Sequence, residues 1–131
     1  MPFVGMQASH IGNKLCCSAG HIIQGSVKEF WQSDYIKGVR QKMLKGEMVP
    51  ECRACYQHEA QDQLSMRQHY NNLFKDKVQQ DDPQYFDLDF SNLCNLQCIM
   101  CGPDRSSQWS KELGHKQVKP ISQNAIEEIL E

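Results

Sequence analysis

CNLQCIMCGP, residues 94–103, is the stretch around which the chain is organised. Three thiols fall within eight of its residues, in the spacing C-x3-C-x2-C, directly after a strand-like segment. A loop of this kind can wrap one corner of an iron–sulfur cluster, with each thiolate of Cys94, Cys98 and Cys101 binding a different iron. A cubane cluster or a tetrahedral zinc ion takes four ligands, so one more ligand is required. Either another segment provides it, or the metal is left open for a substrate or cofactor to bind directly.

The chain holds seven cysteines, and they fall into three groups. Besides the loop there are the adjacent pair Cys16 and Cys17 and the C-x2-C pair Cys52 and Cys55. The N-terminus carries no export signal, and clustered thiols in such a protein indicate metal binding and not disulfides. Two-residue spacing lets both sulfurs of Cys52 and Cys55 point at one metal.

Composition limits the classes of function. The 131 residues make one ordinary domain or two small ones. The 14 basic and 16 acidic side chains nearly balance and form no block of like charge, so nothing predicts binding to nucleic acid or to an anionic membrane. The first residues lack both a basic region and an unbroken apolar run, which excludes a signal peptide or a membrane span there. We expect a soluble, cytoplasmic protein.

The chain is expected to begin with a β-hairpin that carries Cys16 and Cys17 at its end. Residues 3–9 alternate loosely between apolar and polar, and Gly12-Asn13 is a turn dipeptide because both residues tolerate positive φ. The extended segment then resumes over residues 14–17. Adjacent residues of an extended segment face opposite ways, so it stays open which of the two thiols is a ligand.

Two capping boxes predict helix starts in this part of the chain, Ser26 with Glu29 and Ser65 with Gln68. A further helix lies between them. Helical spacing gives two of these helices apolar faces that we expect in the core, formed by Ile36, Val39, Met43 and Leu44 and by Met66, Tyr70, Leu73 and Phe74.

A break at Asp81-Asp82-Pro83 predicts a boundary between a domain of residues 1–80 and one of residues 84–131. A strand follows over residues 85–90, in which apolar and polar side chains alternate. Phe86, Leu88 and Phe90 share one face, and Asp87 and Asp89 share the other. Such carboxylates are either catalytic or lie on a solvent-exposed face of the strand, and the sequence leaves both alternatives open.

The cysteine loop leaves the C-terminal end of this strand, which is where α/β barrels build their active sites. A short helix around Trp109 follows, and then a last helix that starts at Ser122 and ends at Glu131 without a cap. One βα unit cannot bury its own sheet face. We therefore expect an α/β chain that is truncated.

The loop resembles the signature of radical S-adenosylmethionine enzymes and differs from the C-x2-C-x2-C run of bacterial ferredoxins. The resemblance implies a [4Fe-4S] cluster held by Cys94, Cys98 and Cys101, with S-adenosylmethionine on the fourth iron. Reductive cleavage of that cofactor would yield a 5′-deoxyadenosyl radical that abstracts hydrogen from a substrate. The family usually has an aromatic residue beside the adenine at the position of Met100, and a soft, apolar methionine can serve there.

The N-terminal part resembles the twitch domain, a shortened SPASM domain that holds an auxiliary [4Fe-4S] cluster. The matching segments are residues 15–17, 30–33, 39–44 and 52–55. The implied fold is a small α+β, cysteine-rich module followed by the first βα unit of an incomplete (β/α)6 barrel. The implied auxiliary ligands are Cys16, Cys17, Cys52 and Cys55.

The resemblance also implies partners. They are a peptide or protein substrate and a low-potential electron donor such as a flavodoxin or ferredoxin, and a second chain is one way to complete the barrel. The residues themselves leave another alternative, a non-catalytic zinc or iron–sulfur module. In that case His21 or His58 would substitute for a thiolate at the first site, and His115 would add a ligand to the loop.

Overall fold

A three-stranded sheet in the order β2–β1–β3 lies at the centre of the structure, a computed structural model that describes residues 2–77 and 82–130. β1 (Gly5–Ser9) pairs antiparallel with β2 (Gly12–Lys14), as the predicted hairpin requires. β3 (Tyr85–Asp89) lies on the other side of β1 and runs parallel to it. With the helices that follow, this makes a small mixed α/β fold.

The hairpin ends earlier than the sequence predicts. β2 stops at Lys14, and the expected extended segment through Cys17 is wrong. The chain bends at Leu15 and Cys16 and turns at Cys17, where the Ala19 N–H donates to the Cys16 carbonyl at 3.1 Å. Cys16 and Cys17 therefore lie in a turn beyond the sheet.

Six α-helices accompany the sheet in the described residues: α1 (Val27–Trp31), α2 (Asp34–Leu44), α3 (Arg53–Glu59), α4 (Met66–Leu73), α5 (Ser107–Glu112) and α6 (Gln123–Leu130). A 3₁₀ turn, Pro50–Cys52, leads directly into α3. Both predicted capping boxes are confirmed at α1 and α4. Gly46 follows α2 with φ of +73°, a conformation that glycine adopts without strain. Glu131, the expected end of the last helix, lies outside the described residues.

The apolar core includes Met6 and Ala8, which alternate with Gln7 along β1. Its largest fully buried side chains are Trp31, Phe30, Met6, Leu15, Ile36 and Val49. Burying each large apolar side chain stabilises the fold by roughly 1.5–3 kcal/mol. Phe86 from β3 and Ile121 and Ile129 from the α6 region pack against this core, so the C-terminal part contributes to it.

Close contact between β1 and β3 depends on Gly5. A Cβ added there would lie 2.3 Å from the Tyr85 carbonyl oxygen. The sheet therefore joins the two predicted domains, 1–80 and 84–131. The break that predicts their boundary lies partly in residues 78–81, outside the described residues, and the division stays a prediction.

Three residues expected in the core are exposed. Leu44 at the end of α2 is 78% exposed, and Met66 and Leu73 of α4 are 48% and 59% exposed. The expectation fails for α4 because this helix packs through Tyr70 and Phe74 against Tyr85 and presents its other apolar side chains to solvent. Of the helices in residues 2–77 and 82–130, none has the length and apolar character that crossing a bilayer requires.

Candidate functional site

The four N-terminal cysteines line one cavity of about 350 Å³. Cys16 and Cys17 reach it from the turn after β2, Cys52 from the end of the 3₁₀ turn, and Cys55 from the first turn of α3. The structure thus brings together the two groups of thiols that the sequence predicts for an auxiliary site. We name it the thiol cavity, defined by these four cysteines.

The turn that presents Cys52 is anchored on both sides. Val49 is buried, and its N–H donates to the Tyr56 hydroxyl at 3.3 Å. Tyr35 of α2 donates to the Glu51 carboxylate at 3.0 Å. Pro50 begins the 3₁₀ turn, where its missing N–H costs nothing. The sequence predicted the pairing of Cys52 and Cys55 from their two-residue spacing. It did not predict the helix α3, which carries Cys55.

Burial governs the electrostatics of these thiols. It raises the pKa of Cys52 to about 11 and also raises the pKa of Cys16. A redox-active C-x2-C motif has a lowered thiol pKa, and the pKa of Cys52 is shifted in the opposite direction. A bound metal cation deprotonates a coordinating thiol outright. A metal or cluster that binds these thiols would therefore have to displace their protons.

The other walls of the thiol cavity include residues of α4 and β3. Three methionines contribute, Met43, Met48 and Met66, and the last of these is the first residue of α4. Arg67 lies 5.2 Å over the Tyr56 ring and pairs with Glu59. Tyr70 shares a 2.8 Å hydrogen bond with Tyr85, which raises the pKa of Tyr70.

Asp87 of β3 also lines the thiol cavity, and it accepts a 3.3 Å hydrogen bond from buried Gln7. The sequence left the role of this carboxylate open, and the structure places it beside the thiols of the N-terminal part.

The second group of thiols lies on the loop after β3. Cys98 is exposed, whereas Cys94 and Cys101 are half-buried. The Leu96 N–H donates to Cys94 Sγ at 3.4 Å, and the Cys101 N–H donates to the Cys98 carbonyl at 2.9 Å. Met100 is 88% exposed, so its side chain is open to a ligand. The loop follows the carboxyl end of β3, as predicted. β3 runs parallel to β1, so the carboxyl ends of both strands lie at the same edge of the sheet.

Asp89, the last residue of β3, joins the hairpin to this loop. Its carboxylate lies 3.5 Å from His10 Nδ1 and accepts from Arg105 Nη1 at 2.5 Å. The His10 side chain is only 1% exposed. No local signal predicts the contact, because it depends on β1 and β3 lying side by side with Ser9 opposite Asp89.

Within residues 2–77 and 82–130, no group of three or more His, Cys, Asp or Glu side chains is arranged to hold a single metal ion. In a cubane cluster each thiolate binds a different iron, so the cysteines stand around the cluster and do not meet at one point. His21 contacts the ring of Tyr35 at 4.5 Å, and neither it nor His58 is among the described residues that line the thiol cavity.

The chain was compared with protein-family models, with curated proteins and with solved structures. No match was found in any of the three. The chemistry of the two groups of thiols is therefore what bears on function.

Proposed function

We propose that this chain is an iron–sulfur protein of the radical S-adenosylmethionine type. One observation carries the proposal: a C-x3-C-x2-C loop leaves the carboxyl end of a strand in a parallel pair. Three thiols leave one iron of a cubane without a protein ligand, and a small molecule with an amino and a carboxylate group can bind there. The fold then corresponds to a twitch-like module followed by the first βα unit of a (β/α)6 barrel.

The residues of the loop have distinct roles in this proposal. Cys94, Cys98 and Cys101 hold the cluster, and the Leu96 N–H donates a hydrogen bond to the Cys94 sulfur. Met100 offers a soft, apolar surface beside the adenine of the cofactor. When bound, the cluster and S-adenosylmethionine supply the reductive chemistry that generates a 5′-deoxyadenosyl radical.

The thiol cavity would hold the auxiliary [4Fe-4S] cluster. Four cysteines line one space, and all four ligands of such a cluster can come from them. Cys16 is half-buried and packs against the core, whereas Cys17 is exposed. Both remain candidate ligands.

Partners follow from the resemblance. The proposed substrate is a peptide or protein, and the proposed electron donor is a low-potential flavodoxin or ferredoxin in the cytoplasm. Further strands, in the same or a second chain, would complete the barrel around the substrate.

Anaerobic reconstitution with iron and sulfide tests the proposal. We expect about eight iron atoms per chain, from two cubanes. Replacement of Cys94, Cys98 and Cys101 by alanine should remove half of them and abolish any change in the electron paramagnetic resonance spectrum on addition of S-adenosylmethionine. Replacement of Cys52 and Cys55 should remove the other half and leave that change intact. If the electron paramagnetic resonance spectrum of the wild-type chain does not change when S-adenosylmethionine is added, that result would contradict a radical enzyme.

A zinc or iron–sulfur module without catalysis is the second candidate, and the thiol cavity favours it. A closed tetrahedral zinc site would require the four thiolates that line the cavity to move together onto one ion, because no three of them are arranged to hold a single metal ion in the described residues. Elemental analysis of protein purified without oxygen separates the two functions. Zinc without sulfide would support the module and contradict the radical enzyme.

A further inference from the structure

Helix α5 holds the backbone of the cysteine loop with three side chains, Ser106, Ser107 and Trp109, which we name the α5 clamp. We propose that the α5 clamp sets the loop in its cluster-binding conformation before any metal binds. The inference rests on the proposed function of the loop. It assigns positioning roles to three residues that the cysteine motif does not include.

Ser107 fixes the peptide groups on both sides of Cys94. Its hydroxyl donates to the Cys94 carbonyl at 3.0 Å and accepts from the Cys94 N–H at 3.1 Å. One hydroxyl thus satisfies both backbone groups of the first ligand residue. A residue held in this way has little freedom to rotate its peptide planes.

The next two contacts hold the segment between Cys94 and Cys98. Buried Ser106 donates to the Leu96 carbonyl at 2.7 Å, and Trp109 Nε1 donates to the Cys98 carbonyl at 3.0 Å. With these carbonyls bound to α5, the Leu96 N–H donates to Cys94 Sγ. Hydrogen bonds to sulfur of this kind tune iron–sulfur clusters.

Buried side chains also pin the two ends of the loop. Asn92 donates to the Pro103 carbonyl at 2.8 Å and to Ser110 Oγ at 3.1 Å. Ser110 donates to the same carbonyl at 2.5 Å, and the Ser107 N–H donates to the Asn92 carbonyl at 2.7 Å. The loop is therefore closed at its base as well as held along its length.

The pattern of these contacts favours a metal site over simple packing. Among the described contacts, the α5 clamp binds carbonyl and amide groups of the loop and no sulfur atom. The thiols thus remain available while the backbone is fixed. Ordering a flexible loop costs backbone entropy, and a loop that is already ordered avoids this cost when it binds.

Hydrogen exchange of the metal-free chain provides the first test. The Leu96 and Cys101 amides are suitable probes because their acceptors are atoms of the loop, not of the clamp. In Trp109→Phe, which loses one hydrogen bond to the loop, we expect both amides to exchange about fivefold faster, and in Ser107→Ala, which loses two, about 30-fold faster. Ser107→Thr keeps the hydroxyl and should restore the wild-type rate.

The second test measures the rate at which the reconstituted chain loses iron to a chelator. The electron paramagnetic resonance spectrum that responds to S-adenosylmethionine monitors this loss. Trp109→Phe should lose this cluster about fivefold faster than wild type, and Ser107→Ala, which loses two hydrogen bonds, about 30-fold faster. Glu112→Ala is the matched control, since it removes an exposed tie from α5 to the Gln97 side chain and spares the loop backbone. Circular dichroism verifies that each variant folds.

The outcomes distinguish the inference from the function on which it rests. If both variants exchange their amides at the wild-type rate, the role of the α5 clamp is overturned. The same holds if their amides exchange faster but the rate of cluster loss is unchanged. Neither outcome would contradict the proposed function. A Glu112→Ala chain as impaired as Ser107→Ala would also overturn the role of the α5 clamp, because any damage to α5 would then suffice. A wild-type chain that binds no iron at this loop would overturn the proposed function and, with it, the inference.

Discussion

Asp89 shows how one side chain can connect parts of the chain that are distant in sequence. It ends β3, faces His10 from the hairpin, and binds Arg105 beyond the cysteine loop. The side chain of Asp89 is 15% exposed, so its charge interacts through a medium of lower dielectric than water. Its two partners compensate much of the cost of burying that charge.

Replacing Asp89 tests this connection. Asp89→Asn should lower the free energy of unfolding by about 1–2 kcal/mol, because Arg105, which stays partly solvated, loses a charged acceptor and His10 loses the carboxylate 3.5 Å from its Nδ1. Urea denaturation measures the change. Asp104→Asn is the matched control: Asp104 also lies near Arg105, at 3.7 Å, but it is 66% exposed, and its loss should cost less than about 0.5 kcal/mol. Equal losses in the two variants would contradict the special role of Asp89.

The raised pKa of Cys52 predicts a loss of stability at high pH. Burial raises that pKa from 9.0 to about 11, so folding favours the neutral thiol. This contribution is fully present below pH 9 and is lost as the pH rises through about 11, with a total of about 2 kcal/mol. Metal-free wild type should therefore lose more stability between pH 8 and pH 11 than Cys52→Ala does. Cys98→Ala, which removes an exposed thiol, should follow wild type, and identical slopes for all three chains would rule the effect out.

At the scale of elements, the parts predicted from sequence are those that local interactions decide. The Ser26–Glu29 and Ser65–Gln68 capping boxes form because donor and acceptor lie three residues apart. Alternation predicted β3, but its parallel partner β1 lies about 80 residues away, and no local pattern encodes that pairing. The exposure of Met66 and Leu73 likewise depends on where α4 packs, which its own periodicity does not determine.

The capping box of α1 offers a test at this scale. Ser26 accepts from the Glu29 N–H at 3.0 Å, and Phe30 and Trp31 of the same helix are buried in the core. Ser26→Ala should lower the free energy of unfolding by about 1 kcal/mol, as measured by urea denaturation. Ser26→Thr keeps an oxygen that can accept this bond and should recover most of the loss. If Ser26→Thr lowers the free energy of unfolding as much as Ser26→Ala does, the hydrogen bond of the Ser26 hydroxyl does not stabilise the start of α1.

At the scale of the whole molecule, the two predicted parts share a sheet, a core and a cavity. Glu128 of α6 accepts from the Val27 N–H at the start of α1 at 2.9 Å, and Asp87 of β3 lines the thiol cavity. The resemblance to the twitch domain predicted that the four thiols of this cavity belong to one site. Its walls could not be predicted, because Asp87, Tyr70 and Arg67 reach it only through long-range packing.

Metal binding at the thiol cavity should therefore stabilise the entire fold. The proposed ligands come from the turn after β2, the 3₁₀ turn and α3, and only the folded chain brings these segments together. Anaerobic reconstitution with iron and sulfide should raise the midpoint of thermal unfolding by on the order of 10 °C, since a ligand at a hundred times its dissociation constant contributes about 2.7 kcal/mol. Cys98→Ala should keep most of this gain, because that thiol lies on the separate loop, whereas Cys52→Ala with Cys55→Ala should lose it. A gain that survives the double substitution would show that the stabilising metal binds elsewhere.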